Sequence, residues 1–513
     1  MASKARFFVT LSACLAAASP LTSPGYQYGA PEAETACKGL TDAFPEALYA
    51  VGSNQFRNQS LAIWSPTCLK TPSCVFLPDS AADISKGLEI IKKAGSKFSV
   101  RAGGHMPVPG AQSVEPGVFI SLSNLNQRKL NTDAGTVSIG PGQTWEDVYD
   151  WLVPYGLAVN GGRFPSVGVG GVLIGGGLGY FASSQGWSCD NVVAFEAVLA
   201  DGRIVEVTQN SKYSDLFWAL RGGHNNFAIV TRFDVKTFPA SSAYAKVIAW
   251  EVNTPSTAEQ FFAALESYVA PGGGVDDTSA AIIPTVAAAP YLGLYEVITD
   301  RFALGRDSSP AAFANFTKVQ GPITFQSGGE VYESWTQMPK FLAANGDRNM
   351  RQVFWSVSFK ADPRAISIAN RTVIDMTFDK LGNAANLSTA LTYQPISAAM
   401  LRESAARGGN VLDLDPNLGT FITGLIAVQW TDAADDGRVT KFCEDATTEI
   451  KRQTKELGLD VDFIYLNDAG ATQKPFLTYG QQGGSLVKLR EIRAKYDPGH
   501  FYETFLAHGF ALE

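Results

Sequence analysis

The chain has 513 residues, 45% of them hydrophobic and 18% charged, which is the composition of a folded protein long enough for two or more domains. A net charge of −8, a pI near 5.3 and the lack of any lysine or arginine run argue against nucleic acid or an anionic membrane surface as a partner. A small neutral or weakly polar ligand fits this composition better.

The N-terminus has the residue order of a secretory signal peptide. Lys4 and Arg6 precede an apolar run from Phe7 to Ala18, which is shorter than the ~20 residues that span a bilayer. We therefore predict a signal peptide over residues 1–18 and a secreted or secretory-pathway protein, with a buried N-terminal helix as the alternative. Four Asn-x-Ser/Thr sequons agree with export and predict a glycoprotein; they begin at Asn58, Asn315, Asn370 and Asn386.

The cysteines allow one or two disulfides. Loss of Cys14 with the signal leaves an odd set, so at least one thiol stays free; the set is Cys37, Cys68, Cys74, Cys189 and Cys443. Our preferred pair is Cys37 with Cys74. No Cys/His cluster has zinc spacing, so no metal site is predicted.

Strands and helices alternate from Thr71 onwards. SCVFLP reads as a strand, Ser80 to Lys93 as a helix closed by Gly95, and FSVRAGG as a strand that leads into a loop with His105. Further strands are predicted at GVFISL and TVSIGPG. Thr144 is then a predicted N-cap for a helix from Trp145 to Val153, with Asp147 at its third position.

A glycine-dense segment follows from Gly161 to Gly179, and we predict no regular element in it. After it come a hairpin around Asp201-Gly202, a helix at SDLFWALRGG and a strand at FAIVTRFDVKTF. From about Ser241 the β runs are longer, which predicts a second domain built on a large, mainly antiparallel sheet; these runs are AYAKVIAWEV, SAAIIPTVAA, YLGLYEVI, NMRQVFWSVSFK and FITGLIAVQW. A last helix is predicted from Gly484 to Lys495.

The glycines of this segment limit the chemistry that the chain can support. They remove Cβ atoms along a strip of backbone, so amide groups could approach a planar ring or a phosphate; a surface loop is the alternative. The four histidines do not pair at metal-ligand spacing, and neither a GxSxG elbow nor a GKS/GKT P-loop is present. A hydrolase or a nucleoside triphosphatase is therefore unsupported.

Four motifs occur in a fixed order: RAGGH at 101–105, VGVGGVLIGGGLG at 167–179 followed by WSCDNV, DLFWALRGGHNNFAIVTRF at 215–233, and YLN at 465–467. Together they resemble the FAD-linked oxidoreductases of the vanillyl-alcohol oxidase superfamily, which have a PCMH-type FAD-binding domain. Within it the chain is most similar to the berberine-bridge-enzyme-like branch, in the solanapyrone-synthase-like form of fungal secondary metabolism.

The resemblance implies an α+β protein with a two-part FAD-binding domain and a substrate domain over the ring. Residues 19–68 would be an N-terminal segment of the FAD domain and 69–240 its main PCMH-type part. Residues 241–460 would form the substrate domain, and 461–513 would return to the FAD domain.

The resemblance also assigns residues to the cofactor. His105 would carry FAD through one 8α-histidyl bond, since Phe164 stands where many relatives have a second attaching cysteine. The remaining FAD contacts implied are Arg101, Ala102, Gly103, Gly104, Met106, Gly140, Pro141, Gly142, Val167, Gly168, Gly170, Gly171, Gly175, Asp190, Asn191, Val192, Ile229 and Asn467.

Three of the positions bear on catalysis, and each has a packing role as its alternative. Tyr465 would be the base or a hydrogen-bond donor to substrate. His224 would face the flavin or fill space. A valine at position 167 resembles the residue of those family members that use O2 as electron acceptor. The alternative is that Val167 packs under the ring.

The expected protein is a monomeric oxidase that removes a hydride from a small secondary-metabolite precursor, with O2 as acceptor and oxidation-coupled cyclisation as one outcome. A carbohydrate oxidase, disfavoured by Phe164, and a flavin-binding protein without turnover remain as alternatives.

Overall fold

The computed structural model describes residues 30–343, 350–480 and 483–512, and the predicted signal peptide lies outside these ranges. The first part of the fold contains α1 Pro31–Ala43, β1 Leu48–Ala50, α2 Asn54–Leu61, β2 Cys74–Phe76, α3 Ala81–Ala94, β3 Phe98–Arg101 and β4 Val118–Ser121. Its sheet has the strand order β1-β2-β4-β3, in which β2 and β3 both run parallel to β4. This parallel arrangement places the end of β3, and the His105 loop after it, at one edge of the sheet.

In this part of the fold, the helix boundaries predicted from the sequence are present. Ser80 caps α3 through its hydroxyl, and Gly95 ends it in a left-handed conformation with φ of 69°. The preferred disulfide is confirmed: Cys37 of α1 is bonded to Cys74 of β2. The other described cysteines, Cys68, Cys189 and Cys443, are buried free thiols.

A second sheet follows directly in the chain. Its region contains β5 Arg128–Asn131, β6 Thr136–Ile139, α4 Trp145–Leu152, β7 Leu157–Ala158, α5 Val169–Ile174, α6 Ala182–Gln185, β8 Val192–Val198, β9 Ile204–Thr208, α7 Ser214–Leu220, β10 Ile229–Lys236 and β11 Phe238–Pro239. The order β5-β6-β10-β8-β9 is antiparallel throughout. Thr144 and Asp147 form the predicted capping box at the start of α4.

The expectation of no regular element between Gly161 and Gly179 is wrong, because α5 lies inside that segment. Val169 and Leu173 are fully buried in the core, one turn apart on the same helix face. Burial of this apolar face outweighs the low helix propensity of the intervening glycines, since tertiary packing routinely overrides propensity.

The third region carries the large sheet. It contains β12 Ala243–Glu251, α8 Pro255–Val269, β13 Ala280–Ala289, β14 Leu294–Leu304, β15 Ile323–Tyr332, α9 Gln337–Ala343, β16 Arg351–Lys360, α10 Pro363–Leu381, β17 Ser388–Ile396, α11 Ala398–Ala406, β18 Phe421–Trp430 and α12 Asp436–Glu456. Seven strands in the order β15-β12-β14-β13-β17-β18-β16 pair antiparallel, which confirms the predicted sheet and the α+β class.

The C-terminal segment ends with α13 Gly484–Tyr496 and α14 Phe501–Phe505. Beyond α14 the chain lies beside the first sheet: Leu506 bridges Phe98, and the Ala507 amide donates to the Phe98 carbonyl at 2.7 Å. The chain end thus contacts the strand that leads to His105. In the described ranges, no helix has the length and apolarity needed to cross a membrane, and no group of three or more metal-ligating side chains occurs.

Candidate cofactor and active site

A largely apolar cavity brings together three separate parts of the sequence. The loop after β3 contributes Ala102 to Met106, the start of α5 contributes Gly168, Gly170 and Gly171, and the C-terminal segment contributes Tyr465 and Asn467. Pro141, Val167, His224 and Ile229 also line it. The structure thus places most of the predicted site residues around one space.

The His105 ring is held in a fixed orientation at the cavity wall. It stacks on the Trp64 indole, with ring centroids 4.1 Å apart and planes 15° from parallel. The Trp64 amide donates to the Gly104 carbonyl at 2.9 Å, and the Gln112 side chain donates to the carbonyls of Gly104 and Met106. These contacts tie the loop to two neighbouring segments, so the imidazole has little freedom to rotate.

The glycines allow the loop and α5 to touch. A Cβ added to Gly103 would lie 2.4 Å from the Gly168 Cα, and a Cβ on Gly168 would lie 2.5 Å from the Gly103 Cα. At Gly171 an added Cβ meets no atom within 4 Å, so this position faces open cavity space. A wall of bare backbone beside a nucleophilic imidazole fits a flat cofactor attached through His105.

Tyr465 and Asn467 form a further part of the lining, where the Asn467 amide also donates to the Val172 carbonyl of α5. The Asn467 amide donates to the Tyr465 hydroxyl oxygen at 3.0 Å, and the Tyr465 backbone amide donates to the Ser356 hydroxyl at 3.1 Å. Burial, and then the nearby Asp468 carboxylate, raise the pKa of the Tyr465 phenol far above its ordinary value. The phenol therefore keeps its proton at neutral pH, which favours the donor role over the base role.

His224 is buried, lines the cavity and adopts a left-handed backbone with φ of 58°. Its Nδ1 is 2.9 Å from the Asn225 side-chain oxygen. Burial lowers the pKa of His224 to about 4, so the imidazole is neutral at physiological pH.

This depressed pKa predicts a pH-dependent loss of stability. An unfolded histidine takes up a proton near pH 6.5 whereas folded His224 does so near pH 4, so stability falls as pH falls through that window. The full effect is on the order of 3 kcal/mol. In His224→Asn, where asparagine tolerates the left-handed backbone, the decline in Tm between pH 6.5 and 4 should be shallower than in wild type.

His500→Asn is the matched control. His500 also has a left-handed backbone, with φ of 53°, but its side chain is exposed and pairs with Glu503 at the surface. An equal flattening of the Tm profile in both variants would contradict the assignment to His224.

Seven residues assigned to FAD do not line the cavity in the structure, and their contact with the cofactor stays a prediction: Arg101, Gly140, Gly142, Gly175, Asp190, Asn191 and Val192. Several of these residues pack behind the residues that line the cavity. A Cβ on Gly140 or Gly142 would lie within 2.3 Å of a backbone carbonyl oxygen of Leu125 or Leu122, and one on Gly175 would lie 2.0 Å from the Asn467 side-chain oxygen.

The polar members of this set serve structural hydrogen bonds. The Arg101 guanidinium donates to the Ala62 carbonyl and the Ser121 hydroxyl. Asp190 accepts from the Trp187 amide and from the Asn410 side chain, both at 2.8 Å. These side chains therefore brace the walls of the cavity.

Other lining residues were missed from the sequence, and two of them are charged. Arg163 and Asp468 line the cavity together with Phe354 and Leu425 of the large sheet. Their positions in the sequence could have identified the two charged residues, because Arg163 directly precedes Phe164 and Asp468 directly follows Asn467. Phe164 itself lines the cavity and remains 42% exposed.

Comparisons with known proteins identify an FAD-binding domain and FAD-dependent relatives. A family model described as an FAD binding domain matches residues 72–208. The FAD-dependent monooxygenase prx3 of Penicillium roqueforti is 37% identical over 497 residues, 93% of each chain. The bifunctional solanapyrone synthase of Alternaria solani is 29% identical over 456 residues, which are 87% of this chain and 83% of the synthase.

Solved structures show the same fold. The glucooligosaccharide oxidase of Acremonium strictum, which carries a 6-S-cysteinyl, 8α-N1-histidyl FAD, superposes with a TM-score of 0.74 at 19% identity, covering 93% of this chain and 98% of the oxidase. The 6-hydroxy-D-nicotine oxidase of Arthrobacter nicotinovorans gives 0.72 at 20% identity, covering 91% and 98%.

Proposed function

The chain belongs to the family of FAD-dependent oxidoreductases that includes the fungal monooxygenase prx3, and from this premise we propose that it is a berberine-bridge-enzyme-like oxidase for a small secondary-metabolite precursor. The reaction removes a hydride from a carbon that carries oxygen or nitrogen and passes the electrons to O2, which yields H2O2. The oxidised product can then cyclise where its own structure permits.

The observation that carries the proposal is the meeting of His105, the glycine wall and the Tyr465–Asn467 pair in one largely apolar cavity. His105 would hold FAD covalently, and the backbone from Ala102 to Met106 would hold its pyrophosphate. When bound, FAD supplies the two-electron acceptor for the reaction.

Tyr465 would orient the substrate. Its hydroxyl oxygen already accepts a hydrogen bond from Asn467, and its raised pKa keeps the phenolic proton in place. That proton is then available to a substrate oxygen in the cavity. His224 is neutral and offers polarity without charge.

Phe164 and Val167 support the choice of substrate and acceptor. Phe164 occupies the cavity wall with a bulky apolar ring, which favours a compact apolar substrate over an oligosaccharide. Val167 lines the same cavity, and its amide donates to the Phe164 carbonyl at 3.3 Å. A small side chain at this point leaves space for O2.

The test is the reaction of the reduced protein with air. Purified holoenzyme, photoreduced without oxygen and then mixed with air, should regain its yellow colour within seconds and release one H2O2 per flavin. Flavin that stays reduced for minutes would contradict the oxidase assignment, and a holoprotein that no alcohol or amine in a broad panel reduces would favour a flavin-binding protein without turnover.

The relatives named as monooxygenases supply a second candidate, in which one oxygen atom enters the product. Turnover under 18O2 separates the two reactions. An oxidase leaves the product unlabelled and returns the label as H2O2, whereas a monooxygenase places it in the product.

Secretion is a separate part of the proposal. The predicted signal peptide supports it, as do the disulfide between Cys37 and Cys74 and the exposed sequon residues Asn58 and Asn386. Expressed in a fungal host with its own N-terminus, the protein should enter the medium as a monomer whose mass falls on treatment with a glycosidase that cleaves N-linked glycans. Retention inside the cell without any such shift would contradict export.

A further inference from the structure

Few charged side chains line the cavity. Among the residues that the structure describes, the lining has one carboxylate, Asp468, and one cation that is permanently charged, Arg163. Both lie beside residues already placed at the site, since Asp468 follows Asn467 and Arg163 precedes Phe164.

A buried glutamine separates the two charges. The Arg163 guanidinium donates to the Gln394 side-chain oxygen, and the Gln394 side-chain nitrogen donates to Asp468 Oδ2 at 2.7 Å. A guanidinium can only donate, so it turns the amide oxygen of Gln394 towards Arg163 and the NH2 group towards Asp468. The three side chains form a polar relay, Arg163–Gln394–Asp468, in which Asp468 is the acceptor.

The second oxygen of the carboxylate, Oδ1, has no hydrogen-bond partner within the described part of the chain, and the residue lines the cavity. The turn Leu466–Asp468 is fixed by a hydrogen bond from the Leu466 amide to the Tyr479 hydroxyl and by one from the Asp468 amide to the Tyr465 carbonyl. A rigid backbone thus presents one free acceptor oxygen at the cavity wall.

The groups that face Asp468 set its proton affinity. Burial raises the pKa of this carboxyl, while the Gln394 hydrogen bond and the Arg163 charge lower it. Tyr465 and Tyr479 also lie near and stay protonated, and Asp300 faces Arg163 from β14, where burial raises its pKa to about 7. A carboxylate whose pKa is raised towards the working pH is a more effective general base than an exposed one.

We propose that Asp468 is the proton acceptor of the oxidation and that Gln394 and Arg163 are the positioning residues that hold it. The proposal rests on the proposed function. Bound FAD would supply the acceptor for the hydride, two electrons and one proton, of the substrate C–H bond, and the Asp468 carboxylate would accept the hydroxyl proton as the C=O bond forms. The substrate class is an uncharged alcohol, because the one carboxylate and the one permanent cation of the described lining balance each other and leave no net charge for a charged substrate to pair with.

The test uses holoenzyme with its flavin and two readouts that need no substrate. The visible flavin spectrum of wild type, followed as pH is raised, should show a transition that is absent in Asp468→Asn and retained in Asp300→Asn. Sulfite, an anionic probe that adds to oxidised flavin, should bind Asp468→Asn about tenfold more tightly at a pH above that transition, because the variant removes a negative charge from the cavity. Asparagine can still accept the Gln394 hydrogen bond through its side-chain oxygen, so the turn should persist.

Asp300→Asn is the matched control, since it removes a buried carboxyl near Arg163 that does not line the cavity; its sulfite affinity should equal that of wild type. An unchanged titration and unchanged sulfite affinity in Asp468→Asn would overturn the proposal. If that variant does not fold, Gln394→Met decides: loss of its N–H donor should move the transition to higher pH, and an unmoved transition counts against the proposal.

Activity is read separately. With an alcohol that reduces the wild-type flavin, Asp468→Asn should reduce it ~10²–10⁴-fold more slowly, the usual contribution of a general base. If neither an alcohol nor an amine reduces wild type, the proposed function fails by itself, and the titration still decides whether Asp468 carries the ionisable charge in the cavity.

Discussion

Replacing His105 by alanine is expected to remove covalently bound flavin from the protein completely. The imidazole is the one group of the RAGGH loop at the cavity wall that can form a carbon–nitrogen bond to the flavin, and alanine offers no nucleophile. After acid precipitation, wild type should keep its yellow colour in the pellet, whereas His105→Ala should release any flavin that it holds into the supernatant.

His224→Asn is the control for this experiment, because His224 is the other histidine that lines the cavity. It should keep its covalent flavin. If His105→Ala retained bound flavin and His224→Asn lost it, the attachment would belong to His224 and the role of His105 would be wrong.

Two further variants test whether the orientation of the His105 imidazole controls how much flavin becomes attached. Trp64 stacks on His105 and Phe354 packs against Trp64, with ring centroids 5.2 Å apart. Trp64→Ala removes this support, so the ring gains rotational freedom and flavin attachment should be slow and incomplete. Trp64→Phe retains a flat partner and should restore most of it. Equal attachment in the two variants would show that stacking does not guide the bond.

The sequence predicted the parts of the fold where local signals and packing agree. The cap at Ser80, the left-handed Gly95 and the Thr144 capping box each placed a helix boundary close to its observed position. The long alternating runs after Ser241 likewise predicted most strands of the large sheet.

Two strands of the large sheet were not predicted, and both contain residues that disfavour strand formation. β15 contains Gly328 and Gly329 at positive φ and pairs with β12 through register shifts. β17 contains Pro395 near its end. Neighbouring strands hold both in place, which is information that a single segment does not contain.

In the candidate site too, local sequence predicted some features, whereas contacts between distant segments determined the others. Ordered motifs identified the His105 loop and the Tyr465–Asn467 pair, but they could not show which motif residues face the cavity and which brace it. Gln394 was invisible because its importance depends on two partners, Arg163 and Asp468, that lie 231 and 74 residues away in the chain. Motifs report local identity, whereas a relay depends on contacts between distant segments.

Replacing Gly171 by leucine is expected to weaken FAD binding while leaving the fold intact. The new side chain would project into cavity space where no atom of the protein lies within 4 Å of its Cβ. Overpacking of this kind costs typically ~1–3 kcal/mol, which lowers affinity about fivefold to more than a hundredfold. Gly171 lies in α5 without a positive φ, so leucine fits the helix backbone and improves its propensity.

The measurements are the flavin-to-protein absorbance ratio and the Tm of the purified variant. Gly437→Leu is the matched control, because Gly437 is also helical and also faces open space, but it lies on the surface of α12 away from the cavity. Gly171→Leu should contain less flavin than wild type and keep a clear unfolding transition, Gly437→Leu should contain as much flavin as wild type, and Gly171→Ala should fall between them. A Gly171→Leu protein with a full complement of flavin would mean that the cofactor does not lie against α5, because the leucine would occupy the space beside that wall.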